Sequence, residues 1–169
     1  GPCSTHLFFC IACGQCHEKA LGKCVFDDDI TNRVIEKMAE CDAIIVGAPV
    51  YYGQPAAQVQ ALQQRMFYAG NAVFQGKPAS AVTVCRRGGA SAAYQALLMP
   101  FQMNNMPIVT SQYWNIAYGR EEGQSAQDVE GMQTMRTLAN NMAWKRLNNS
   151  KIAFLDDFYI CGSFGENNR

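Results

Sequence analysis

Hydrophobic residues recur along this chain in two rhythms, and each predicts its own kind of element. The run Ala43-Ile-Ile-Val-Gly47 has no polar residue interleaved, which predicts a strand buried on both faces of a helix-covered parallel sheet. Gly47 and Pro49 are expected to end it and open a loop presenting Tyr51 and Tyr52. Upstream, Ile30, Val34, Ile35 and Met38 share one stripe at helical spacing, so a helix is expected over 30–41, capped from Asp27-Asp28-Asp29. Downstream, Pro55 suits a first helical turn, and Val59, Leu62, Met66 and Phe67 carry an apolar face to Ala69, where Gly70-Asn71 stop it. Strands are expected over 79–85 and 108–111, with a helix over 90–103 between them. A long helix over 125–147 carries Val129, Met132, Met135, Leu138, Met142 and Trp144. His6 to Phe9 forms a short strand candidate.

Strands that alternate with helices from Ile30 onward are the signature of a doubly wound α/β sheet. The 169 residues suit one domain: an N-terminal segment over 1–29, an α/β core over 30–147 and a tail over 148–169. Acidic and basic residues balance at 14 each, so no nucleic-acid or anionic-membrane partner is expected. Charged residues make up 17% of the chain against 49% hydrophobic, which predicts a homo-oligomer, dimer or tetramer. No run approaches a membrane span and no signal peptide is recognisable, so a cytoplasmic protein is expected.

Eight cysteines are many, and four of them, Cys10, Cys13, Cys16 and Cys24, fall within one short stretch. That crowding in an α/β chain points to metal or redox use in a reducing compartment. Cys-x2-Cys-x2-Cys with a fourth thiol further on can wrap a small soft metal centre, and its nearest analogue is a [4Fe–4S] run. Zinc with help from His17, a redox thiol pair and a turn kept for packing remain open on these residues. Cys3, Cys41, Cys85 and Cys161 read as small core residues. Arg86-Arg87-Gly88-Gly89, at the end of the second strand, can stabilise an anionic ring or a phosphate, with glycines that let backbone amides approach. A solvated turn would look the same. Tyr113, Trp114 and Tyr118 read as core or interface aromatics, and no Ser/His/Asp or Cys/His pair is visible.

Several stretches together resemble the flavodoxin-like NAD(P)H-dependent FMN reductase family, including its iron–sulfur flavoprotein branch. They are Cys10-Ile-Ala-Cys-Gly-Gln-Cys16 with Gly22-Lys-Cys-Val-Phe-Asp-Asp-Asp29, Ala48-Pro-Val-Tyr-Tyr-Gly53, Arg86-Arg-Gly-Gly89, 106–115, and 130–136 with 141–144. The resemblance implies bound FMN, NAD(P)H as donor, a small-molecule acceptor, and a five-stranded parallel sheet of order 2-1-3-4-5. It also implies that Pro49, Val50, Tyr51, Tyr52 and Gly53 line the flavin ring, while Arg86, Arg87, Gly88 and Gly89 hold its pyrimidine edge. Cys10, Cys13, Cys16 and Cys24 match the cluster ligands of the iron–sulfur branch. Two rivals stand beside the reductase: an electron carrier using a [4Fe–4S] cluster with FMN, and a non-enzymatic remnant that has lost FMN.

One departure shapes the expectation. Family members begin with a strand, a phosphate-binding loop and a first helix, whereas Gly1-Pro-Cys-Ser-Thr5 is followed almost at once by the cysteines. The tail, through 151–155 or 158–161, is expected to supply the missing strand, so that Gly162 and Ser163 meet Ser4 and Thr5 in a rebuilt phosphate cradle.

Overall fold

The computed structural model describes residues 7–148. In chain order these form α1 (Gln15–Glu18), α2 (Thr31–Ala39), β1 (Ile44–Tyr51), β2 (Gln54–Pro55), α3 (Ala57–Ala69), α4 (Asn71–Phe74), β3 (Ala79–Cys85), α5 (Ala90–Met103), β4 (Ile116–Tyr118) and α6 (Val129–Asn148), with a 3-10 turn at Gln124–Gln127. The expectations for β3 and α5 match the structure at both ends. Leu7 to Phe9 form no strand; the Phe8 N–H donates to Asp29 Oδ2 instead. Ser4, Thr5, Gly162, Ser163 and the proposed tail strand lie outside the described residues.

Among the described residues the sheet has four strands in the order β2-β1-β3-β4. β1, β3 and β4 are parallel, in register from Ile44↔Ala79 to Pro49↔Val84 and from Thr83↔Ile116 to Cys85↔Tyr118. β2 is antiparallel to the end of β1, which corrects the placement of Pro55 in a helix. The reason is the two-residue turn Tyr52-Gly53, with φ of 50° and 77°. Two successive left-handed residues reverse the chain with the twist that a hairpin needs. Pro55 then sits on an edge strand, where a missing N–H is tolerated.

β1 also runs two residues past Pro49. The Pro49 carbonyl faces outward and accepts from Ala56 N–H at 3.1 Å. In a parallel strand a residue's N and C=O point the same way, so the proline removes no bond to β3.

The burial of β1 corrects a second expectation. It alternates, with Ile44, Val46 and Ala48 buried but Ile45 47% exposed and Gly47 and Pro49 open. The buried face joins Ala79 and Ala81 of β3 to Met66, Phe67, Leu97 and Phe101 of α3 and α5. The opposite face is covered on its β3–β4 side, where Leu138 and Met142 of α6 pack on Val109, Val82 and Ala43. Every other residue of an apolar run therefore stays open where no described helix lies over it.

The strand expected over 108–111 shrinks to one bridge, Ala79↔Ile108, and the regular pairing resumes only at Ile116. Between them the chain bows out because Asn115 turns inward. Its Nδ2 donates to Ser80 Oγ and to the Ala81 carbonyl, both at 3.0 Å, and the Ser80 hydroxyl donates to the Val109 carbonyl at 2.8 Å. Tyr113 and Trp114 end up on the outside, ring centroids 5.1 Å apart, rather than in the core.

α6 starts at Val129, later than expected, because Asp128 caps it. Asp128 Oδ1 accepts from Gly131 N–H at 3.0 Å, and Oδ2 accepts from Tyr118 N–H at 2.8 Å, tying the helix to the end of β4. At the other end of the sheet, Lys77 Nζ donates to the carbonyls of Met38, Ala39 and Cys41, closing the C-terminus of α2. Cys85 is core as expected. Cys41 is exposed, its Sγ 3.3 Å from the Lys37 carbonyl.

Candidate functional site

Two groups of residues stand out, one at the carboxyl ends of the strands and one under the cysteine loop. At the strand ends, the Tyr52-Gly53 turn meets the loop after β3. A β-carbon on Gly89 would lie 2.5 Å from Gly53 Cα and 3.4 Å from Val50 Cγ1. Gly89 has φ of 86°, a left-handed conformation suited to glycine. The glycines of the two sequence motifs are thus what lets the loops touch.

Tyr52 is 107% exposed and stands free of the chain, and Tyr51 is 62% exposed. Tyr52 holds its positive φ without a glycine's freedom, and such backbone strain concentrates at functional sites. Gly89 also serves as the N-cap of the 14-residue α5 and supplies no side-chain cap. The Arg87 and Ala90 N–H groups face the buried Cys85 sulfur, and a helix start without a side-chain cap favours a negative ligand at its remaining N–H groups.

Arg86, Arg87 and Gly88 are exposed beside this contact. Arg86 lines a cleft of about 310 Å³ with Tyr118, Gly119, Arg120, Glu121 and Gln124, whereas Arg87 does not. Nothing in the sequence marks 118–124 as part of the site. That cleft exists because β4 ends at Tyr118, beside Cys85, and Gln124 Oε1 accepts the N–H groups of Arg120 and Glu121.

The second group is the cysteine loop. Cys10, Cys13, Cys16 and Cys24 all line one largely apolar cavity with Phe9, Ile11, Phe26, Arg65, Tyr68 and Ala69. The space is about 20 Å³. All four thiols are free. Burial pushes the Cys16 thiol up, and the neighbouring Cys24 and Cys10 add to the shift. Among the described residues no three His, Cys, Asp or Glu side chains converge to hold a single metal ion. His17 packs edge-on against Tyr68, centroids 4.6 Å apart. The zinc expectation therefore has no support in the geometry.

The loop is fastened by residues that the sequence pattern does not single out. Arg65 is 3% exposed and Asp29 1%, and the two form an ion pair through Nη1 and Oδ2. Arg65 Nη2 also donates to the Phe26 carbonyl at 3.0 Å and reaches Cys24 Sγ at 3.4 Å. Asn32 accepts the Cys24 N–H at 2.8 Å and donates back to the Cys24 carbonyl at 3.0 Å. The N-cap of α2 is Ile30, with no side-chain cap, and Asp29 just before it accepts from Thr31 N–H at 2.8 Å through Oδ1 while pairing with Arg65. The one local signal is Arg65 itself, at helical spacing from Leu62 and Ala69 on an otherwise apolar face.

Comparison with known proteins identifies the family. The profile of the NADPH-dependent FMN reductase family matches residues 5–121. An iron–sulfur flavoprotein of Methanocaldococcus jannaschii is 33% identical over 145 residues, covering 79% of this chain and 72% of that protein. One from Methanosarcina thermophila is 33% identical over 139 residues, covering 79% and 69%. In three dimensions, the Trp repressor binding protein from Bacillus subtilis aligns with a TM-score of 0.51 at 16% identity, covering 75% of this chain and 85% of that one, which shows the shared fold. The chain belongs to the NADPH-dependent FMN reductase family, a family of flavoprotein oxidoreductases with a flavodoxin-like fold.

Proposed function

We propose that this protein binds FMN at the carboxyl ends of β1 and β3 and passes electrons from NAD(P)H to a small acceptor. The observation that carries the reading is the Gly53–Gly89 contact, which joins two exposed tyrosines, an uncapped helix start and Arg86 into one surface. These residues fit the group: a flat ring needs an open aromatic surface, and its pyrimidine edge needs donors and positive charge. The flavin would supply the hydride chemistry.

Each protein group has a separate task in this reading. Pro49 to Gly53 would support one face of the ring, and the rigid hairpin keeps that support from collapsing. The N–H groups at the start of α5 and the Arg86 guanidinium would draw negative charge toward the ring's edge. Arg87 would contribute to the local field alone. No side chain is needed as acid or base. The cleft beside Arg86 would receive the donor or the acceptor.

A second reading adds a [4Fe–4S] cluster at Cys10, Cys13, Cys16 and Cys24, making the protein an electron carrier; the relatives are named iron–sulfur flavoproteins. It is favoured by four unbridged thiols on one cavity beside a buried guanidinium. In such a cluster each iron takes its own thiolate, so the donors need not converge on one point. A cluster exceeds the present space, and the exposed Phe9-to-Cys13 wall would have to give.

One anaerobic experiment separates these readings. The purified chain is mixed with FMN, and separately with iron and sulfide, then assayed by absorbance, flavin fluorescence and iron content. Stoichiometric flavin reduced by NAD(P)H supports the reductase; flavin with about four irons supports the carrier. A protein that takes up neither is the remnant, and both readings fail.

A further inference from the structure

Arg65 belongs to neither strand-end loop, and burying a guanidinium is costly unless it is fully paired. Here the pairing is divided. Nη1 goes to Asp29, while Nη2 is shared between the Phe26 carbonyl and Cys24 Sγ, with Asp28 Oδ1 at 3.6 Å. Asp29 is in turn fixed by the N–H groups of Phe8 and Thr31. Asn32 grips the Cys24 backbone from the other side and also donates to Asp27 Oδ1 at 2.9 Å. The fourth cysteine is therefore held at its backbone by one helix and at its sulfur by another, whereas Cys13 is exposed on the loop.

We propose that Arg65 is the positioning residue for a cluster on this loop: its Nη2 hydrogen bond fixes the Cys24 sulfur and sets a permanent positive charge against it. The inference rests on the cluster reading above. Hydrogen bonds and charge at a ligating sulfur tune reduction potential, and outer partners of metal ligands typically account for about 10–100-fold in metal affinity. A positive charge stabilises the more negative, reduced state, so Arg65 raises the potential. It also retards loss of the iron at Cys24.

The test compares the full chain with R65K, R65Q and D29N after anaerobic loading with iron and sulfide. R65K keeps a charge but cannot span Asp29, Phe26 and Cys24 together, and D29N keeps Arg65 but loosens its aim. Circular dichroism checks the fold, redox titration reads the potential, and a chelator reads iron release. The expected result is a lower potential in R65Q than in wild type with R65K between them, a potential in D29N at or above wild type because a negative charge paired with Arg65 is removed, and iron release about tenfold faster in R65Q. If the wild-type chain takes up no iron and sulfide, the cluster reading has failed and Arg65 has nothing to position. If the folded variants keep the wild-type potential and release rate, Arg65 is only a staple between loop and helix. Loss of fold in all three variants likewise overturns the proposal, since Arg65 would then serve the fold alone.

Discussion

Gly53 Cα lies 2.5 Å from the point where a β-carbon on Gly89 would stand. Two backbones, not two side chains, make this contact, so neither partner can rotate aside. Gly89→Ala therefore combines a left-handed backbone penalty of about 1–2 kcal/mol with displacement of the hairpin. The expected outcome is a melting temperature lower by roughly 5 °C and weaker FMN binding. A variant with unchanged flavin affinity would separate this contact from the site.

Tyr52 should show stability and binding moving in opposite directions. Asparagine tolerates a φ of 50° better than tyrosine does and is favoured before glycine in this hairpin turn. Tyr52→Asn should hold or raise stability by up to about 1 kcal/mol while removing an aromatic surface worth about 0.5–1.5 kcal/mol of stacking. Urea midpoints and flavin fluorescence titrations would read the two effects independently.

Asp128 joins two elements with one carboxylate. Asp128→Ala strands the Tyr118 and Gly131 N–H groups together. The expected cost is about 1–2 kcal/mol in chemical denaturation. Because Tyr118 borders the cleft beside Arg86, the loss should also weaken binding there.

Acid should loosen the cysteine loop through Asp29. Burial alone would raise the Asp29 pKa, but Thr31, the Phe8 N–H and Arg65 outweigh it and hold the carboxyl below its ordinary 3.8. The Thr31 hydroxyl has no partner at hydrogen-bonding geometry, yet it stands close enough to favour the charged form. A depressed pKa gives stability that is fully present above the unfolded value and lost as pH falls through the folded one. Wild-type stability should therefore drop as pH falls below about 4, and Asp29→Asn should show a shallower slope there. Denaturant midpoints against pH would measure the difference.

The proposal that residues beyond 150 complete the sheet draws support from the hand of the crossovers. The connections from β1 to β3 and from β3 to β4 pass over one face, through α3 and α5, whereas α6 packs on the other. Right-handed crossovers on opposite faces advance in opposite directions across a sheet. A strand following α6 would return toward β1, whose outer edge before Val50 has no partner strand among the described residues. Truncation after Ser150 should then give an insoluble or flavin-free protein. A soluble, flavin-replete truncation would sink the idea.

Periodicity alone located β3 and α5, because an apolar run between polar turns and a stripe at helical spacing are local properties. It also placed the two glycine motifs and the four clustered cysteines, whose residue types carry their chemistry wherever the chain folds. The same pattern misplaces Pro55, the faces of β1 and the last strand. Each depends on something distant in sequence: a hairpin partner, the reach of α6, or the Asn115 side chain turning toward Ser80 and Ala81. Arg65 escapes notice for the same reason, since its meaning arises from Asp29 and Cys24, 36 and 41 residues away. Local spacing thus determined which residues could carry chemistry. Only the tertiary structure decided which groups stand against each other, because ion pairs, backbone contacts and burial are set by distance in space.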